Sequence, residues 1–126
     1  MQNRIFSGAP SEDFAGYAKA VIDGPTIYVS GTMGQDPQTN AFPEGVADQT
    51  RNALASIDAA LAKAGASLKN AVACRVYITD GAFLKDVATV LGEVFAEIRP
   101  TNTLLICQLP APGAKVEIEI TASTRS

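Results

Sequence analysis

The sequence predicts one α/β (α+β) domain, a mixed sheet with two amphipathic helices on one of its faces. Three observations lead there. The chain has 126 residues, the size of a single domain with a real but not deeply enclosed core. Two stretches repeat apolar residues every three to four positions, the helical period. Several shorter stretches alternate or run apolar between Gly- and Pro-containing turns, as strands do. No linker, internal repeat or low-complexity tract divides the chain, so residues 1–126 read as one domain.

The elements follow in order. Residues 2–8 (QNRIFSG) read as a short first strand. Tyr17–Asp23 (YAKAVID) and Thr26–Ser30 (TIYVS) flank Asp23-Gly24-Pro25 and read as a hairpin. Gly31 to Gly45 is a loop rich in Gly and Pro, with a short strand at Thr32–Gln35. Val46–Ala64 is a helix whose stripe is Ala53/Leu54, Ile57, Leu61 and Ala64, and Gly65 stops it. Asn70–Thr79 alternates, with Val72, Cys74, Val76 and Ile78 on one face and Ala73, Arg75, Tyr77 and Thr79 on the other. Phe83–Ile98 is the second helix, with Val87, Val90/Leu91, Val94/Phe95 and Ile98 inward and Pro100 ending it. Thr103–Leu109 (TLLICQL) is nearly all apolar and is expected to be covered on both faces. In Lys115–Ala122, Val116, Ile118 and Ile120 face one way and Glu117, Glu119 and Thr121 the other. Two helices cover one face of this sheet and none remains for the other, so oligomerisation is expected.

Composition removes several functions. There is no histidine, which excludes Ser-His-Asp, Cys-His and the common metallohydrolase sites. Proton transfer must then use carboxylates, Tyr, Lys, Cys, backbone or water. No metal or other cofactor is expected. Cys74 and Cys107 lie in apolar stretches and read as small buried thiols rather than a disulfide or a zinc site. The net charge is −3 and the ten basic residues are scattered singly, so neither nucleic acid nor a membrane is an expected partner. No apolar run approaches the roughly 18 residues of a spanning helix. The N-terminus MQNRIFSGAPSEDF has no apolar signal segment, so a cytoplasmic location is expected.

Three segments in order carry a family resemblance: YAKAVIDGPTIYVSGTMGQDPQT, then DQTRNALASIDAALAKAGASLKNAVACRVYITD, then RPTNTLLICQLPAPGAKVEIEITA. The SG after a strand, the QT..AL..I...L..AG helix, the VYITD strand end and the LP..G.KVEIE ending resemble the Rid family (reactive intermediate deaminases, YjgF-type) over roughly residues 14–122. The resemblance implies a chorismate-mutase-like fold and a homotrimer with a small-molecule cleft at each subunit interface. It also implies an enzyme that hydrolyses 2-imino acids to 2-keto acids and ammonia. In such deaminases an arginine following Pro binds the substrate carboxylate through a bidentate contact. A glutamate of the VEIE strand lies near the attacking water, and a tyrosine and the SG backbone line the cleft.

Carried over by position, Tyr17, Ser30 and Gly31 are expected to bind substrate and Glu117 to be catalytic. The arginine does not carry over. The local run is Arg99-Pro100-Thr101-Asn102-Thr103, so Asn102 stands where the arginine is expected, and Gln108 replaces another arginine common before LP. Replacing a charged fork by a neutral amide costs about 2–5 kcal/mol of binding. A protein that binds a small metabolite, but is not a standard 2-imino acid deaminase, is therefore the expectation. The alternative is a deaminase with another anchor, of which Arg75 is the candidate; otherwise Arg75 pairs with Glu117 or Glu119. Arg99 is expected to cap the preceding helix. An endoribonuclease or translation inhibitor is disfavoured by the missing histidine and the acidic charge, and a purely structural trimer is the remaining option.

Overall fold

The computed structural model describes residues 3–125. The strands are β1 (Arg4–Ile5), β2 (Ala20–Asp23), β3 (Thr26–Met33), β4 (Ala71–Ile78), β5 (Thr101–Ile106) and β6 (Val116–Ser123). The helices are α1 (Pro10–Ala15), α2 (Val46–Lys63) and α3 (Leu84–Phe95). One sheet has the order β1-β2-β3-β6-β4-β5. Only β4 and β5 are parallel, because α3 carries the chain back between them. This is the expected mixed sheet.

The last strand sits in the middle of the sheet, and its alternation builds the core. Val116, Ile118, Ile120 and Ala122 are fully buried, whereas Glu117, Glu119 and Thr121 are half-buried on the other face. Each buried Val or Ile contributes roughly 1.5–3 kcal/mol relative to exposure. Against them pack Ala53, Leu54, Ile57 and Leu61 of α2 and Val87, Val90, Leu91 and Phe95 of α3. Gly65, at φ 77°, turns the chain after α2, where the amide of Ala66 donates to the carbonyl of Leu61 at 2.9 Å. Arg99 caps α3 as expected, its Nε donating to the Ala96 carbonyl at 2.7 Å. No helix is long and apolar enough to cross a membrane among the described residues.

Several expectations need correction. The first strand is only Arg4–Ile5, and the part of the expected segment at residue 2 lies outside the described residues. The separate strand at Thr32–Gln35 is instead the end of β3, which runs on through a bulge. Helix α1 was not expected; it is one short turn-and-a-half opened by Pro10 and closed by Gly16 at φ 76°. Val72 does not share the face of Cys74. Ala71 pairs with Ala122 and Ala73 with Thr121, so Val72 is an extra residue in a bulge and points outward, 48% exposed. The strand expected to be covered on both faces, β5, is the sheet edge: Leu105 is 52% and Ile106 64% exposed. It also starts earlier, at Thr101, and ends at Ile106. Cys107 is consequently exposed, not buried, while Cys74 is buried as expected and both are free thiols.

Candidate functional site

The site begins at an irregularity in β3. Val29 pairs with Ile120 and Thr32 with Ile118, so Ser30 and Gly31 together face the single residue Glu119. This bulge re-aims the strand end. Ser30 is tied back by its hydroxyl, which donates to the Ala18 carbonyl at 2.6 Å, and by its amide, which donates to the Lys19 carbonyl at 2.8 Å. Gly31 leaves space that Glu117 fills: a Cβ there would stand 2.7 Å from Glu117 Oε2. The glycine of the SG step is thus fixed by the approach of a carboxylate.

Beside the bulge runs a groove of about 770 Å³ between the segment around α1, the end of β3, the loop after it and the outer flank of α2. Tyr17, Ser30, Gly31, Lys19, Asn52 and Ser56 are among its walls. The Tyr17 hydroxyl and the Ser11 hydroxyl are 2.7 Å apart, which ties the ring to α1. Glu12 is buried, and it accepts from the amide and the hydroxyl of Ser7. Lys19 is buried as well, with Nζ donating to Thr32 Oγ1 at 2.6 Å and to Ser56 Oγ at 3.3 Å. Burial lowers its proton affinity, and the charges of Glu12 and Glu117 act against that. Burial raises the Glu117 carboxyl above the ordinary range, the neighbouring Glu119 adds to this, and Lys19 opposes it.

Four of the expected site residues therefore come together: Tyr17, Ser30 and Gly31 on the groove and Glu117 against Gly31. Two do not, within one chain. Arg75 lies on the helix-free face of the sheet, opposite Glu119, and is exposed; its ion pair with a glutamate does not form among the described residues. Glu119 instead accepts from the Tyr77 hydroxyl at 3.1 Å. Asn102 pairs with Cys74, whose side chain enters the core, so Asn102 stands on the helix side of edge strand β5. There it lines a smaller hollow of about 310 Å³ with Leu91, Phe95, Arg99 and Pro100. Sequence reasoning missed Glu12 and Lys19. The available signal was a lone charge between two alanines in YAKAVID, just before a strand that enters the core. No group of His, Cys, Asp and Glu among the described residues is arranged to hold a metal ion.

Comparisons with known proteins give the family. The family model described as endoribonuclease L-PSP matches residues 8–124. A protein of Bos taurus named 2-iminobutanoate/2-iminopropanoate deaminase is 33% identical over 107 residues, covering 84% of this chain and 78% of that one. A solved member of the YjgF/YER057c/UK114 family from Mycobacterium tuberculosis is 38% identical with a TM-score of 0.87, covering 96% of this chain and 98% of that one. The structure of E. coli TdcF with bound serine is 29% identical with a TM-score of 0.81, covering 100% of this chain and 96% of that one. Fold and sequence point the same way, and the chain belongs to the endoribonuclease L-PSP family, the YjgF or Rid family of the resemblance.

Proposed function

We propose that the chain forms a homotrimer in the cytoplasm and binds a small metabolite in the clefts between its subunits, without being a standard 2-imino acid deaminase. The observation that carries the binding is the groove, on which Tyr17, Ser30 and Gly31 converge with Glu117 behind Gly31. That a similar protein, E. coli TdcF, holds serine supports a ligand of amino-acid size. The need for a second subunit is supported by Asn102, which stands on edge strand β5, away from the groove of its own chain. A neighbouring subunit is required to bring such an edge to a groove. The chemistry is argued from the amide itself. Asn102 presents one neutral NH₂ and one acceptor where a carboxylate would need a charged fork, a difference of about 2–5 kcal/mol in binding. A polar but uncharged ligand group, such as an amide or a carbonyl, suits it better.

The second reading is hydrolysis of 2-imino acids to 2-keto acids and ammonia with a different cation as anchor, Arg75 being the first considered. It is favoured by the similar Bos taurus protein and its name. In this reading water adds to the carbon of the protonated imine and gives one proton to Glu117; Glu117 returns that proton to the nitrogen of the carbinolamine, the C–N bond breaks as ammonia leaves, and the hydroxyl proton is lost to water as the carbonyl forms. A carboxylate whose proton affinity is raised by burial accepts that proton more readily. Cleavage of RNA has less support, since the chain has no histidine and a net charge of −3.

Ammonia or keto-acid release from an imine generated in situ separates the two readings, with wild type and Asn102→Arg side by side. The expected result is an inert wild type and a variant that gains activity. An active wild type would instead support the second reading and end the first.

A further inference from the structure

We propose that Lys19 is the cationic anchor of the groove and that the ligand offers it a carboxylate. This rests on the reading that the groove binds a small molecule, and it specifies one charge that the molecule carries.

Lys19 carries an ammonium without a counter-ion among the described residues. Lys19 is 9% exposed and stands on the groove wall. Two of its three N–H donors go to hydroxyls, Thr32 Oγ1 on β3 and Ser56 Oγ on α2. Both acceptors are neutral. Among the described residues no carboxylate oxygen lies within 4.0 Å of Nζ; the ion pairs there are Arg51 with Asp48 and Lys115 with Glu44. A buried charge is costly unless it is paired. No acceptor among the described residues takes the third N–H, the groove is the side from which one can enter, and an anionic one would also pair the charge.

The surroundings favour that role over the alternatives. Glu12 and Glu117 are close enough to help keep the ammonium charged, but neither forms an ion pair with it among the described residues. Glu12 accepts from Ser7, and Glu117 lies across Gly31. Anchored from a strand and a helix at once, the ammonium is fixed before any ligand arrives, which limits the ordering cost of binding. Arg75, by contrast, is exposed on the helix-free sheet face, and Asn102 is neutral and on the far edge.

The test compares 2-oxobutanoate with its methyl ester, which differs in the charge of one group. Binding is followed by ¹H–¹³C NMR of the full-length protein, including the Lys19 Cε signal. Wild type is expected to bind the acid about tenfold or more tightly than the ester, as a charge-assisted contact requires. The Lys19 Cε signal should move with the acid and not with the ester. Lys19→Met should erase the preference while keeping its affinity for the ester, and Arg75→Met should leave the preference intact. Equal binding of acid and ester by wild type overturns the anchor while leaving a ligand-binding groove in place. So does a Lys19→Met protein that still prefers the acid. Binding of neither compound overturns both. The wild-type comparison and the Cε signal need no variant, so a misfolded Lys19→Met protein would not rescue the proposal.

Discussion

Glu117 is the residue at which geometry and charge meet. The strand alternation puts it on the face away from the core, and the absence of a side chain at Gly31 lets it settle against the β3 bulge. Burial then raises its carboxyl above the ordinary value, with Glu119 adding to the effect. The folded chain consequently holds this proton to a higher pH than the unfolded chain does. Between the two values the folded state binds more protons, so stability falls as pH rises. Glu117→Gln removes that loss. The variant should be more stable than wild type at pH 7, and the difference should shrink as the pH falls below the unfolded carboxyl value. Urea unfolding at several pH values measures it; a variant that is less stable at every pH would refute the account. Glu117, Tyr17, Ser30 and Gly31 could be singled out in the sequence only through the family resemblance, whose SG and VEIE motifs hold three of them. Lys19 could not be. Its importance comes from Thr32 and Ser56, 13 and 37 residues away, and from burial that only the packed chain creates.

At the scale of elements, one buried amide ties the loops around the groove to the sheet. Gln49, in the first turns of α2, is fully buried. Its Nε2 donates to the carbonyls of Pro43 at 2.7 Å and Gly113 at 2.9 Å, and its Oε1 accepts from the Lys115 amide at 2.8 Å. Gly34 packs against the same turn so closely that a Cβ would stand 2.1 Å from the Gln49 carbonyl oxygen. Gln49→Leu keeps the volume but leaves three backbone groups without partners, each costing about 1–3 kcal/mol. We expect a loss on the order of 3 kcal/mol or more in chemical denaturation, whereas Gln49→Glu, which keeps one acceptor, should lose less near pH 4 than at pH 8. A Gln49→Leu protein as stable as wild type would show that the clasp is idle. The helices themselves were readable, since α2 and α3 carry their stripes at the helical period and end near Gly65 and Pro100. What escaped were features that depend on neighbours. The bulge at Val72 exists only against β6, and the exposure of β5 follows from its place at the edge, which its apolar run TLLICQL does not reveal. The short α1 has no apolar stripe to announce it.

For the molecule as a whole, the second face of the sheet and the β5 edge are the unfinished surface. Tyr28 is 50%, Val72 48%, Leu105 52% and Ile106 64% exposed in one chain. In the sheet register Leu105 stands beside Tyr77, and Tyr77 in turn beside Glu117, so this surface borders the residues behind the groove. Covering it in an oligomer would bury side chains worth roughly 1.5–3 kcal/mol each. In light scattering we expect the wild type at three times the 13.1 kDa of one chain. Leu105→Glu would place an unpaired carboxylate in the buried interface, at a cost of several kcal/mol. It should therefore run at the mass of one chain while keeping its secondary structure, because Leu105 lies outside the core formed by β6, α2 and α3. If the groove is completed by a neighbour, this monomer should also lose most of its ligand affinity. A monomer that binds as well as the wild type would mean that Tyr17, Lys19, Ser30 and Gly31 suffice within one chain. A wild type that is itself monomeric would remove the trimer from the account and leave the exposed edge without a covering partner.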